Sequence, residues 1–61
     1  MSNYDKMIQL FEEVKDSLSA NDLQYILELI QQYDNCRSSQ EASSIENTII
    51  DFCSKKTETK N

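Results

Sequence analysis

The chain has 61 residues, a net charge of −5, two Cys and no His, Gly or Pro. A chain this short forms one domain at most, and a zinc site is not expected because such sites need several His or Cys ligands at close spacing. The lack of Gly and Pro disfavours tight hairpins and phosphate-binding loops and favours helices joined by polar turns.

The first predicted helix covers residues 3–18. Ser2 or Asn3 is its expected N-cap. Its apolar residues recur at spacings of three and four, as they do on one face of a helix. This face consists of Tyr4, Met7, Phe11, Val14 and Leu18. The opposite, acidic face carries Asp5, Glu12 and Asp16 and is flanked by Glu13.

The second predicted helix covers residues 22–34 and has an unusually wide apolar face, about 200° of the helix circle. One edge of this face consists of Leu23, Leu27 and Ile30, the other of Tyr25 and Leu29, with Ile26 and Tyr33 between them. Asn21 is the expected N-cap with Gln24 as its capping-box partner, and Asn35 is expected to end the helix in a left-handed conformation. A face this wide predicts packing against two neighbouring helices.

The third predicted helix covers residues 39–54 and begins at a capping box formed by Ser38 and Glu41. Its apolar stripe consists of Ala42, Ile45, Ile49 and Phe52. Residues 55–61 are polar and Lys-containing and lack periodicity, which is typical of a disordered tail.

These elements predict an all-α fold, a small antiparallel three-helix bundle of residues 1–54 with the second helix in the middle and a disordered tail of residues 55–61. The predicted core consists of Met7, Phe11, Val14, Leu18, Leu23, Ile26, Ile30, Ile45, Ile49 and Phe52. Cys36 and Cys53 are separated by a helix about 20 Å long, so they are expected to be free thiols.

A short string at the start of the third helix, "SQEAS", resembles the SQELD signature of the small helical-hairpin phosphatases that act on sporulation response regulators. Ser39, Gln40 and Glu41 match that signature. Ala42 and Ser43 stand where the family has Leu and its functional Asp, so none of its properties is transferred to this chain.

Composition also argues against several functions. Without His the commonest general base is missing, so neither an enzyme nor a cofactor site is expected. The acidic balance disfavours nucleic acid, because phosphate binding depends on Lys and Arg. The N-terminus has no long apolar run, and the two separate Cys are typical of reducing compartments, so no membrane span and a cytoplasmic location are expected.

Protein binding is the function that these exclusions leave. The chain is expected to be a small acidic regulator of bacterial or phage type, an adaptor or inhibitor that binds another protein with a basic rim. Its expected anchors are Tyr25 and Leu29, at the edge of the wide face. The expected acidic surround consists of Glu12, Glu13, Asp16 and Glu28. A structural homodimer is the alternative, and mimicry of DNA by the acidic face is a third.

Overall fold

Three α-helices make up most of the protein in the computed structural model, which describes residues 2–58 apart from the side chain of Glu58. They are α1 (Asn3–Val14), α2 (Ala20–Asn35) and α3 (Ser39–Glu58), and a short 3₁₀ turn, Lys15–Ser17, follows α1. No strand occurs within residues 2–58, and the predicted all-α class is confirmed. No helix in this range is long and apolar enough to cross a membrane.

Two contacts between helix ends give the directions of the helices. The rings of Tyr4 and Tyr33 stack with centroids 6.3 Å apart, which brings the start of α1 to the end of α2. The Lys56 Nζ lies 3.1 Å from the Asp22 carboxylate, which brings the end of α3 to the start of α2. Consecutive helices therefore run antiparallel, and the predicted antiparallel three-helix bundle is confirmed.

The central helix is α3, and the prediction that the second helix lies in the middle is wrong. The backbone of α3 lies close to those of both α1 and α2, whereas α1 and α2 approach each other much less. Val14 and Cys53 are small and almost fully buried, and helices with small side chains at their contact approach closely. The bundle is accordingly flat, with Cα atoms spanning 36 × 26 × 14 Å.

The core is small and draws on all three helices. Its buried apolar members are Met7, Val14, Ile26, Leu29, Ile49 and Cys53. Partly buried residues packed against them include Phe11, Leu18, Ile30, Ile45 and Phe52, all of which were predicted. The prediction is wrong for Leu23, whose side chain is exposed, and it missed Leu29 and Cys53.

Serine side chains cap the N-termini of all three helices. The Ser2 hydroxyl accepts from the Asp5 N–H, and Ser2 is one of the two predicted caps of α1. The Ser38 hydroxyl accepts from the Glu41 N–H, which is the serine half of the predicted capping box. For α2 the prediction of Asn21 is wrong, because the helix begins earlier, at a capping box of Ser19 and Asp22. The charged Asp22 side chain accepts from the Ser19 N–H and also interacts favourably with the positive end of the helix dipole.

The end of α2 also differs from the prediction. Asn35 stays helical, and no residue within 2–58 has a positive φ, so the expected left-handed stop is wrong. The Asn35 side-chain amide instead donates to the Gln31 carbonyl at 3.0 Å, one turn earlier in the same helix. The chain then turns at Cys36, whose backbone is extended.

The last helix continues to Glu58, four residues past its predicted end. Residues 55–58 of the predicted tail are therefore helical, and residues 59–61 lie outside the described residues. Lys56 lies over the Phe52 ring, 5.3 Å from its centroid, and its ion pair with Asp22 holds the pKa of that carboxyl below its usual value. These contacts attach the end of α3 to the start of α2.

The burial pattern of α2 predicts a contrast between two adjacent residues. Ile26→Ala should lower the free energy of unfolding by about 2–5 kcal/mol, because Ile26 is only 1% exposed and its truncation leaves a cavity. Leu27→Ala, at an exposed neighbour, should cost about 1 kcal/mol or less. Urea unfolding followed by circular dichroism measures the free energy of unfolding of each variant. Equal decreases in the two variants would contradict the described packing of α2.

Candidate protein-binding groove

One edge of the wide apolar face of α2 is covered by α3. The Tyr25 ring packs against the Phe52 ring at a centroid distance of 5.0 Å and a tilt of 54°. Leu29 is 9% exposed and belongs to the core. The Tyr33 hydroxyl donates to the Glu46 carboxylate at 2.5 Å. Ring packing and burial thus fix this edge, while Tyr33, between the two edges, bonds to α3 and also stacks on Tyr4 of α1.

The other edge of α2 faces α1 across an open apolar groove, which we call the α1–α2 groove. Its volume is about 200 Å³. The lining residues are Met7, Ile8, Phe11, Glu12, Ile26, Ile30 and Ile49. Ile49 comes from α3, so the central helix contributes to the lining while α1 and α2 supply the other residues.

Exposed apolar side chains extend this groove along both helices. Ile8 is 40% exposed and lies one helical turn after Tyr4, which is 48% exposed. Leu27 is 55% exposed and lies one turn after Leu23, which is 36% exposed. Residues four apart on a helix share a face, so Tyr4 lies on the same side of α1 as the groove residue Ile8, and Leu23 lies on the same side of α2 as Leu27. Exposed apolar side chains beside an apolar groove are typical of a partner-binding site.

The two predicted anchors differ in their exposure to solvent. Leu29 is buried in the core, so the expectation that it forms part of an open surface is wrong. Tyr25 is 41% exposed, but one side of its ring is occupied by Phe52. The closer apposition of α2 to α3 than to α1 explains this, because it covers the Tyr25 and Leu29 edge and leaves the Leu23 and Leu27 edge open.

The predicted acidic surround is divided among several surfaces. Glu12 lines the α1–α2 groove and forms an ion pair with Lys15 at 2.9 Å, which raises the pKa of that lysine. Glu13 and Asp16 are exposed, and neither lines the groove. Glu28 lies at a different site, a broad polar cleft between α2 and α3.

This polar cleft has a volume of about 760 Å³ and is open to solvent. It is lined by Glu28, Gln31, Gln32, Asn35, Cys36, Glu41, Ser44 and Ile45. Carboxylates and amides dominate the lining, and Cys36 is a half-buried free thiol. Within the described residues no three His, Cys, Asp or Glu side chains gather closely enough to hold a metal ion.

The sequence contained a signal for the α1–α2 groove in the width of the apolar face of α2. What it did not reveal was which edge of that face would be left open. That depends on which pair of helices packs most closely, a tertiary property that helical periodicity does not encode.

Comparison of the chain with protein-family models, with curated proteins and with solved structures found no match. The function is therefore argued from the residues and contacts of this chain.

The hydrogen bond between Tyr33 on α2 and Glu46 on α3 makes the free energy of unfolding depend on pH. The bond to the Glu46 carboxylate, together with burial, raises the pKa of Tyr33 to about 12. Tyrosine ionises near pH 10 in an unfolded chain. The stabilisation is therefore complete below pH 10 and is lost as the pH rises towards 12, because the unfolded state loses the proton first.

We expect Tyr33→Phe to remove this dependence. The difference in unfolding free energy between the wild type and Tyr33→Phe should be constant below pH 10 and should shrink between pH 10 and 12. Urea titrations at several pH values measure the difference, and the other two tyrosines are present in both proteins. A difference that stays constant to pH 12 would show that this hydroxyl does not hold its proton as described.

Proposed function

We propose that the protein acts by binding another protein through the α1–α2 groove, as a small acidic adaptor or inhibitor that uses neither catalysis nor a cofactor. The observation that carries this proposal is the apolar lining of the groove, which includes the partly exposed Ile8, together with the exposed Leu27 next to the lining residue Ile26 on α2. In this proposal the protein works in the cytoplasm, since reducing compartments maintain free thiols such as Cys36 and Cys53.

The energetics of the groove support a binding role. Fully burying a Leu or Ile side chain contributes about 1.5–3 kcal/mol, so covering the exposed half of Leu27 contributes on the order of 1 kcal/mol. Several such residues in one groove supply the apolar anchors on which affinity usually depends. The net charge of −5 favours a partner with a basic rim, by steering and by selection against acidic surfaces.

Self-association through the same groove is the second candidate. The exposed apolar side chains favour it, because a chain of this length often completes its core with a second subunit. The net charge of −5 on each copy opposes it, because two like-charged molecules repel each other. Mimicry of DNA receives less support, since Glu12, Asp22 and Asp51 are paired with lysines of the same chain.

The proposal predicts which edge of α2 a partner uses. An affinity-tagged protein should capture its partner from the native host, and the double variant Ile8→Ser with Leu27→Ser should lose that capture. Both side chains are substantially exposed, so the variant should keep its helical circular dichroism spectrum. Capture should survive 0.5 M salt, because apolar contacts are not screened.

The matched control is Tyr25→Ser, which changes an exposed aromatic residue on the opposite edge of α2. It should retain capture once shown to be folded. Loss of capture in Tyr25→Ser with retention in the groove variant would place the interface on the α3 side. Mass measurements over a range of concentrations separate a different partner from a second copy of the chain.

A further inference from the structure

We infer that the contact between the end of α3 and the start of α2 is a charge-controlled clasp, which holds the last turn of α3 helical and opens without unfolding the bundle. The clasp consists of Asp22 and Tyr25 on α2 and of Phe52 and Lys56 on α3. None of these residues lines the α1–α2 groove, so the inference is independent of the proposed function.

The four side chains of the clasp contact one another in turn across the two helices. The Lys56 Nζ lies 3.1 Å from the Asp22 carboxylate and 5.3 Å from the centroid of the Phe52 ring. The Phe52 ring in turn packs against the Tyr25 ring, with centroids 5.0 Å apart. A lysine ammonium over the face of an aromatic ring is attracted to it. The charge of Lys56 is therefore held by a carboxylate of α2 and by a ring of α3 that itself contacts α2.

One oxygen of Asp22 connects the clasp to the cap of α2. The Asp22 Oδ2 accepts from the Ser19 N–H at 3.3 Å and is also the atom that lies 3.1 Å from the Lys56 Nζ. The same carboxylate thus completes the capping box at the start of α2 and holds the end of α3. Its hydrogen bond with Lys56 lowers the pKa of this carboxyl. A change of charge at Lys56 therefore acts on the ends of two helices.

The part of α3 that the clasp holds lies beyond the core. Cys53 is fully buried, whereas residues 54–57 are half-buried or exposed. The Thr57 hydroxyl donates to the Ser54 carbonyl at 2.7 Å, a bond that stays within the turn. Packing supplies most of the stability of helices in proteins, and helix ends without buried residues open locally. The contacts of Lys56 therefore determine whether this turn stays folded, while the core holds α3 up to Cys53.

The ion pair of the clasp is more sheltered than its neighbour in the sequence. The side chains of Lys56 and Asp22 are 35% and 22% exposed. Lys55 pairs with Asp51 within α3 at 3.2 Å, and those side chains are 71% and 67% exposed. Solvent and salt screen exposed pairs more strongly than partly buried ones. Loss of the charge at Lys56 therefore has the larger effect, and only this loss reaches α2.

Opening of the clasp uncovers aromatic surface. When Lys56 withdraws, the Phe52 ring loses the side chain that lies over it. Tyr25, which packs against that ring, is already 41% exposed. The open state thus presents a pair of aromatic rings on the α3 side of α2, whereas the closed state covers part of this surface with the lysine.

The test compares Lys56→Gln with Lys55→Gln in the full chain. The two variants remove the same charge from adjacent positions near the end of α3, so they change the net charge and the interaction with the helix dipole alike. Hydrogen exchange of the backbone amides of residues 55–57 reports the opening of this turn. Exchange should accelerate roughly two- to fivefold in Lys56→Gln, the range expected for an ion pair at the surface, and by less in Lys55→Gln.

Two further readouts separate the clasp from ordinary fraying of a helix end. NMR titration of the Asp22 carboxyl should give a higher pKa in Lys56→Gln and an unchanged pKa in Lys55→Gln. A soluble paramagnetic probe should broaden the Phe52 ring signals more strongly in Lys56→Gln than in the wild type, and Lys55→Gln should match the wild type.

Two more variants identify the charge as the cause. Lys56→Arg should keep the wild-type exchange rates, because a guanidinium also pairs with a carboxylate and stacks on an aromatic ring. Asp22→Asn keeps a side-chain oxygen for the Ser19 N–H but removes the charge, so it should accelerate exchange of residues 55–57. Combining Asp22→Asn with Lys56→Gln should add little to the effect of Lys56→Gln, because both changes break the same pair.

Equal acceleration of exchange in Lys55→Gln and Lys56→Gln, or an Asp22 pKa that Lys56→Gln leaves unchanged, would overturn the inference. Loss of the helical circular dichroism spectrum in Lys56→Gln would also overturn it, because the last turn would then not open separately from the core. The groove variant Ile8→Ser with Leu27→Ser changes no residue of the clasp, so a failure of the proposed function and a failure of this inference are distinguishable.

Discussion

The close packing of α3 against both other helices is the constraint on which the rest of this structure depends. Ile49 and Cys53, almost fully buried, hold α3 in the middle of a flat bundle. Tyr25 packs on Phe52 and Tyr33 bonds to Glu46, so one edge of α2 is occupied. α1 and α2 approach each other less closely than either approaches α3. The α1–α2 groove follows from this arrangement.

The groove gives a physical reason for the surplus apolar surface of α2. A face about 200° wide exceeds what one neighbouring helix covers, and in this bundle only one neighbour packs closely. The remaining edge, with Leu23 and Leu27, is exposed and continues across to Ile8 on α1. In the function proposed for the protein, a partner covers this edge of α2.

The sequence predicted local structure better than helix arrangement. Helical periodicity and serine caps identified three helices and their antiparallel order, because both signals lie within short segments. The capping box at Ser19 was missed because Asn21 offered a similar pattern two residues later. The extension of α3 to Glu58 was missed because Lys56 makes contacts with Phe52 and Asp22 that are visible only in the folded chain. Both edges of α2 were recognised as apolar, but the choice between them depended on the central position of α3.

The measurement that tests this account most directly is the solvent exposure of two leucine side chains on α2. Leu27 is 55% exposed and Leu29 is 9% exposed, although they are only two positions apart in the sequence. In methyl NMR with a soluble paramagnetic probe, the Leu27 methyl signals should broaden strongly and those of Leu29 should broaden little. Equal broadening, or stronger broadening of Leu29, would contradict the central position of α3 and with it the α1–α2 groove.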